Sequence, residues 1–200
     1  MADHFEAKAS DWDADDMVRQ LSLGTGSAIL NNIPLDDRML VMDFGAGTGL
    51  ISSQVAPRVN KIMAVDTSST MLQQLMAKPE LRGKVEALCQ DIIDQPLDMR
   101  FDLIMSAMAM HHVEDTDTLI HRFAEHLKPG GMLALADLDK EDGSFHPENT
   151  AGVFHSGFDR RAFQALLEKH GFSDVHFVTA HTVIKEHRHY PVFLAIARYA

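Results

Sequence analysis

Asp43-Phe44-Gly45-Ala46-Gly47-Thr48-Gly49 narrows what this chain can fold into more than any other stretch. It follows an apolar run, Met39 to Phe44, and precedes a segment whose Leu50, Ile51 and Val55 recur at helical spacing. Strand, glycine-rich turn and helix in that order form the ligand-facing corner of a parallel α/β sheet. Glycine there lets the backbone turn sharply and approach a bound molecule with no side chain between. The spacing argues against two familiar uses of such a loop. A dinucleotide fingerprint needs glycine at its first, third and sixth positions, and the sixth here is Leu50; a P-loop needs a Gly-Lys-Ser/Thr that does not follow. Asp66 closes the next apolar run at the distance where such folds place a carboxylate on ribose hydroxyls, about twenty residues on. The implied ligand carries a ribose.

The rest of the chain repeats the pattern. Apolar runs at Met39 to Phe44, Lys61 to Asp66, Val85 to Gln90, Phe101 to Ala107 and Met132 to Leu138 alternate with helical stripes. One stripe is Met71, Leu72, Leu75 and Met76, another Leu119, Ile120, Phe123 and Leu127. Arg160 to His170 reads as a helix capped by Asp159 and ended by Gly171. Two further runs, Val175 to Ile184 and Tyr190 to Ala197, predict a terminal antiparallel hairpin joined through Lys185 to His189. The expected fold is therefore α/β: a doubly wound, seven-stranded, mainly parallel sheet with a C-terminal antiparallel hairpin. One domain over residues 1–200 is expected, with residues 1–32 forming an N-terminal lid and a helix from Ser22 to Asn32.

Charge and cysteine content limit partners and compartment. With 18 basic and 29 acidic residues the net charge is −11, which disfavours nucleic acid and points to a small acceptor, neutral or cationic. No apolar run is long enough for a membrane span, and Met1-Ala2-Asp3-His4 does not start a signal peptide, so a cytoplasmic location is expected. The expected assembly is a monomer or homodimer. Cys89, the single cysteine, lies in an apolar run and reads as a small buried core residue.

These segments together resemble the class I S-adenosylmethionine-dependent methyltransferases, in particular small members without an inserted substrate domain. The resemblance implies roles residue by residue. Asp43, Gly45, Ala46 and Gly47 match the acidic glycine-rich motif whose backbone meets the homocysteine part of S-adenosylmethionine. Asp66 matches the ribose-binding acid, with Thr67 beside it and Met71 against the adenine. Asp91 and Ile92 match the pair whose carboxylate and next amide meet the adenine edge. Ser106 and Ala107 end the strand beside the methionine moiety, and Trp12, with Phe5, resembles an aromatic lid. Lys128 to Leu133 matches a structural turn. The implied cofactor is S-adenosylmethionine, with S-adenosylhomocysteine as product and no metal.

Read from the residues alone, several alternatives stay open. Asp91 is also a fair helix cap. His111 and His112 fit a turn as well as a proton-transfer role, and His111 is the candidate base. The long segment Asp139 to Phe158 either closes over an acceptor, bringing His146 or His155 as base, or is a solvated acidic loop. Asp137, Asp139 and Asp142 could in principle share a divalent cation. A non-catalytic S-adenosylmethionine-binding regulator on the same fold is the alternative to an enzyme.

Overall fold

A computed structural model of the chain describes residues 9–147 and 150–200; the expected lid residue Phe5 lies outside them. After a short 3-10 turn at Trp12–Ala14, the elements are α1 Asp16–Asn32, β1 Leu40–Phe44, α2 Leu50–Val55, β2 Lys61–Asp66, α3 Ser69–Ala77 and β3 Val85–Cys89. There follow β4 Phe101–Ala107, α4 Thr116–Glu125, β5 Leu127–Leu138, α5 Arg160–Lys169, β6 Phe172–Lys185 and β7 Arg188–Tyr199. The strands form one seven-stranded sheet in the order β3-β2-β1-β4-β5-β7-β6. Pairing is parallel from β3 through β5 and antiparallel from β5 to β7 and from β7 to β6. This is the expected doubly wound α/β fold. Two apolar cores cover its faces, one built around Val41, Leu103 and Met105, the other around Met42, Ile104, Leu119 and Phe123. No helix among the described residues is long and apolar enough to cross a membrane.

Caps match the sequence pattern. Asp15, Ser68, Asp115 and Asp159 each accept a backbone amide three residues on and so open α1, α3, α4 and α5. Gly171, at φ 86°, ends the last helix as expected. Several boundaries differ from expectation. The first helix begins at Asp16, six residues before Ser22, because Asp15 caps it. β5 begins at Leu127, so that residue belongs to a strand and not to the α4 stripe; Gly130 and Gly131 make the irregular entry. Met76 is 49% exposed, outside the apolar face of α3. Cys89 is exposed and not part of the core, because β3 is the edge strand and its outer end lacks the two-sided cover of a central strand.

The reversal of strand order lies between β1 and β4, and there the two carboxyl ends leave a crevice. The segment after β5 does not run free. Lys140 donates its amide to the Phe158 carbonyl, Phe158 donates to Leu138, and Glu141 to Ser156, so the neck of this long loop is zipped against itself. Phe154 and His155 both donate backbone amides to the His111 carbonyl, which folds the loop back over the exit of β4.

Candidate active site

The glycine loop is held by the strand beside it. Gly45 and Ala46 donate amides to the Val65 carbonyl, and Gly47 donates to the Asp66 carboxylate at 2.8 Å, whose other oxygen accepts the Ser68 amide at 2.8 Å. Asp66 thus ties the loop after β1 to the turn after β2. The glycines differ in what they make room for. A Cβ on Gly45 would stand 2.2 Å from the Ala109 Cβ, so this glycine lets the β1 and β4 loops meet. Gly47, at φ 54°, has nothing within 4 Å of where a Cβ would be. Its missing side chain leaves open space at the crevice.

That space belongs to a cavity of about 920 Å³ running along the carboxyl ends of the strands. Of the candidate residues, Trp12, Asp43, Gly45, Ala46, Gly47, Asp66, Thr67, Met71, Asp91, Ala107 and His111 line it. Ile92 and Ser106 do not: the Ile92 side chain is fully buried in the second core, and Ser106 is buried with no hydrogen-bond partner for its hydroxyl among the described residues. Ile93 faces the cavity instead. Asp91 accepts the Ile93 amide in a tight turn, and no helix follows for it to cap. The Trp12 turn is pinned through Asp13, which accepts from the Thr48 hydroxyl at 2.5 Å and pairs with Lys78 at 2.7 Å. Asp43 is buried beneath the loop and accepts from the Ser52 hydroxyl at 2.6 Å. Burial pushes its carboxyl up to about 7, the Ser52 bond opposes this, and the Asp66 charge adds to it.

The other end of the cavity is made by residues far apart in sequence. His111, 1% exposed, places Nδ1 2.8 Å from Asp137 Oδ1, and its backbone amide donates to the second oxygen of the same carboxylate. Asp137, on β5, also accepts the Leu138 amide. His111 Nε2 lies 3.2 Å from His146 Nε2 on the folded-back loop. In the tautomer where His111 donates Nδ1–H to Asp137, its Nε2 is bare and His146 donates across this contact. Burial, with the charges His111 and His112 would carry, pulls His146 down to about 4 and keeps it neutral. His112 meets the Gly152 carbonyl at 2.6 Å and so holds the loop. His155 meets the carbonyls of Val113 and Glu114 and does not line the cavity. Met108, at φ 57°, carries the strained backbone by which β4 leaves the sheet. Asp137, Asp139 and Asp142 do not converge: they pair with His111, Arg160 and Arg188 respectively. Among the described residues there is no metal-binding cluster of histidine, cysteine or acid.

His146 reaches the cavity as the closing-loop alternative predicts, and His155 does not. The pairing of Asp137 with His111 and the arrival of Lys185 at the cavity are not legible in the sequence: Lys185 falls in the predicted connecting turn, and no local pattern marks it.

A sheet in this order, with a glycine loop and an acidic strand end at the reversal point and an antiparallel terminal pair, defines the class I methyltransferase fold. Comparison with known proteins agrees. A methyltransferase-domain family model matches residues 41–131. A methyltransferase of unassigned role from Schizosaccharomyces pombe is 30% identical over 166 residues, covering 74% of this chain and 58% of its own length. A trans-aconitate 2-methyltransferase from Deinococcus radiodurans is 32% identical over 139 residues, covering 68% of this chain and 52% of its own. The chain therefore spans little more than half the length of these curated relatives. The N-methyltransferase NodS of Bradyrhizobium japonicum, solved with S-adenosylhomocysteine, superposes with TM-score 0.74 at 16% identity over 99% of both chains. The chain has the class I methyltransferase fold and is similar in sequence to methyltransferases of that class.

Proposed function

We propose that the chain transfers the sulfonium methyl of S-adenosylmethionine to a small-molecule acceptor. The observation that carries this reading is one continuous cavity with two chemically different ends: the Gly47–Asp66 corner at one, the Asp137–His111–His146 series at the other. Its size, about 920 Å³, is at the upper end for a small-ligand site and suits a nucleoside cofactor with an acceptor beside it. The first end fits the cofactor. Gly47 leaves the loop backbone open to it, Asp66 stands where ribose hydroxyls would be met, Met71 and Asp91 flank an adenine position, and Trp12 lines the same cavity.

S-adenosylmethionine, when bound, supplies an activated methyl for in-line displacement. The protein's part is alignment, which is worth roughly 7–11 kcal/mol of barrier at best, and removal of any proton the acceptor carries. His146, neutral at physiological pH, takes that proton at Nδ1 as its Nε2 proton passes to His111 Nε2. Asp137 then stabilises the imidazolium formed at His111. The relay moves one proton from the acceptor to His146 and adds one to the His111–Asp137 pair, leaving His146 neutral with its proton on Nδ1. A non-catalytic regulator does not need a buried carboxylate aimed at a histidine on the cavity wall, so the enzyme reading is favoured.

The test is calorimetric titration with S-adenosylmethionine and S-adenosylhomocysteine, followed by a metabolite screen scored by S-adenosylhomocysteine release. Once an acceptor is found, His111→Gln and Asp137→Asn should each lower kcat by roughly 10²- to 10⁴-fold with cofactor affinity unchanged. Absence of cofactor binding, or full turnover in both variants, would remove this assignment.

A further inference from the structure

We propose that Lys185 anchors an anionic group of the acceptor, a carboxylate or a phosphate, at the β6 end of the cavity; the proposal rests on the methyl-transfer reading above. Lys185 is the last residue of β6. Both β5 and β6 run antiparallel to the β7 strand between them, so the end of β6 lies on the same sheet edge as the glycine loop. From Asp66 on β2 it is five strand positions away, roughly 24 Å at ordinary inter-strand spacing. The cation therefore stands at the acceptor end and not with the cofactor.

Three observations give it an anion-binding role. Lys185 is the only lysine or arginine lining the cavity among the described residues. Lys185 is half-buried, its ammonium donating to the Phe145 carbonyl at 2.5 Å and standing 4.9 Å from the centre of the Phe145 ring, and no carboxylate among the described residues pairs with it. An ammonium has three donors, and one of them is used here. Partly buried cations without a counter-ion are uncommon because desolvation is uncompensated, and an incoming anion supplies the compensation.

The polar groups that contact Phe145 and His111 are otherwise engaged. His146, adjacent in sequence to Phe145 and packed on its ring at 4.9 Å between centres, is neutral, and the Lys185 charge is among the causes that keep it so. Glu141, close by on the loop, accepts the Phe145 amide, and Asp137 is committed to His111. Phe145, Phe154 and Met17 add an apolar wall, the latter two exposed at the mouth. The acceptor that fits has an apolar body and one anionic group. This reverses the neutral-or-cationic acceptor expected from a net charge of −11: the average charge of a surface does not set the sign at one end of one cavity.

The probes are benzoate, phenyl phosphate and benzamide, titrated calorimetrically into protein saturated with S-adenosylhomocysteine. At least one anion should bind tenfold or more tighter than the amide, and the tighter of the two tells carboxylate from phosphate. Lys185→Met, which keeps the stem over Phe145, should weaken that anion by roughly ten- to hundredfold, Lys185→Arg should largely retain it, and S-adenosylhomocysteine affinity should be the same in all three proteins. Equal affinity for anions and amide, anion binding indifferent to Lys185→Met, or no anion binding at millimolar concentration overturns the anchor. Failure of the parent protein to bind S-adenosylhomocysteine overturns the methyl-transfer reading instead, and the anchor with it.

Discussion

Two glycines two residues apart separate fold from function. Gly45→Ala drives a methyl into Ala109 at a position already at φ 67°, so it should cost stability, visible as a lowered Tm, whether or not cofactor is present. Gly47→Val meets open space and pays only the left-handed backbone penalty, about 1–2 kcal/mol, while its side chain enters the cavity. Titration of a folded Gly47→Val protein should show cofactor affinity largely lost; undiminished affinity would place the cofactor elsewhere. Asp43 makes a prediction in pH. Its folded pKa of about 7 lies above the ordinary carboxylate value of 3.8, so between these limits the folded state holds a proton that the unfolded state has released. Stability therefore falls as pH rises from about 4 to 7, by roughly 4 kcal/mol at most, and the loss is complete above that range. Asp43→Asn removes the titration. Denaturant melts of the two proteins should show the variant gaining on the parent across this window, and a difference independent of pH would refute the buried, proton-holding carboxyl.

At the scale of elements, the β6–β7 turn shows how function is carried on structure that local preference would not choose. Glu186 and His187, at φ 48° and 66°, join Lys185 to its partner Arg188 through a two-residue turn of left-handed conformations. Such turns favour Asn-Gly. The double change Glu186→Asn with His187→Gly should raise stability by about 1 kcal/mol and Tm by roughly 2–4 °C, read by thermal melting. An unchanged or lower Tm would mean that Glu186 and His187 make compensating contacts. The hairpin end was expected at Ile184, yet it is Lys185, one residue further, that the pairing holds on the sheet edge. The described parts of the long loop after β5 are likewise tied down: the zipped neck and the His112–Gly152 contact accompany the meeting of His146 with His111.

Taken whole, the molecule places one open cavity across the carboxyl edge of its sheet, walled by the N-terminal turn, the β4 exit, the long loop and the β6 end. A ligand that bridges these parts binds the folded state alone and must stabilise it. At a hundredfold excess over Kd, S-adenosylhomocysteine should contribute about 2.7 kcal/mol, a rise in Tm of roughly 5–10 °C for a chain of this size. Differential scanning fluorimetry measures it directly. A cofactor that binds by calorimetry and leaves Tm unmoved would not be selective for the folded state, as a site assembled from these parts requires.

What the sequence determined by itself is what depends on neighbours along the chain. The strand–glycine–helix corner from Met39 to Val55, the acid at the end of β2, the caps at Asp159 and Gly171 and the alternation of apolar runs are local patterns, because backbone geometry and periodic burial are set within a few residues. Cys89 and Met76 went astray for the complementary reason: whether an apolar residue is covered depends on which strand is at the edge and which helix face meets it. Asp137, His111, His146 and Lys185 come from β5, the β4 exit, the long loop and β6, and nothing in their spacing links them. Only the tertiary structure, by setting those ends side by side on one edge of the sheet, makes a carboxylate, two imidazoles and an ammonium into one end of a site.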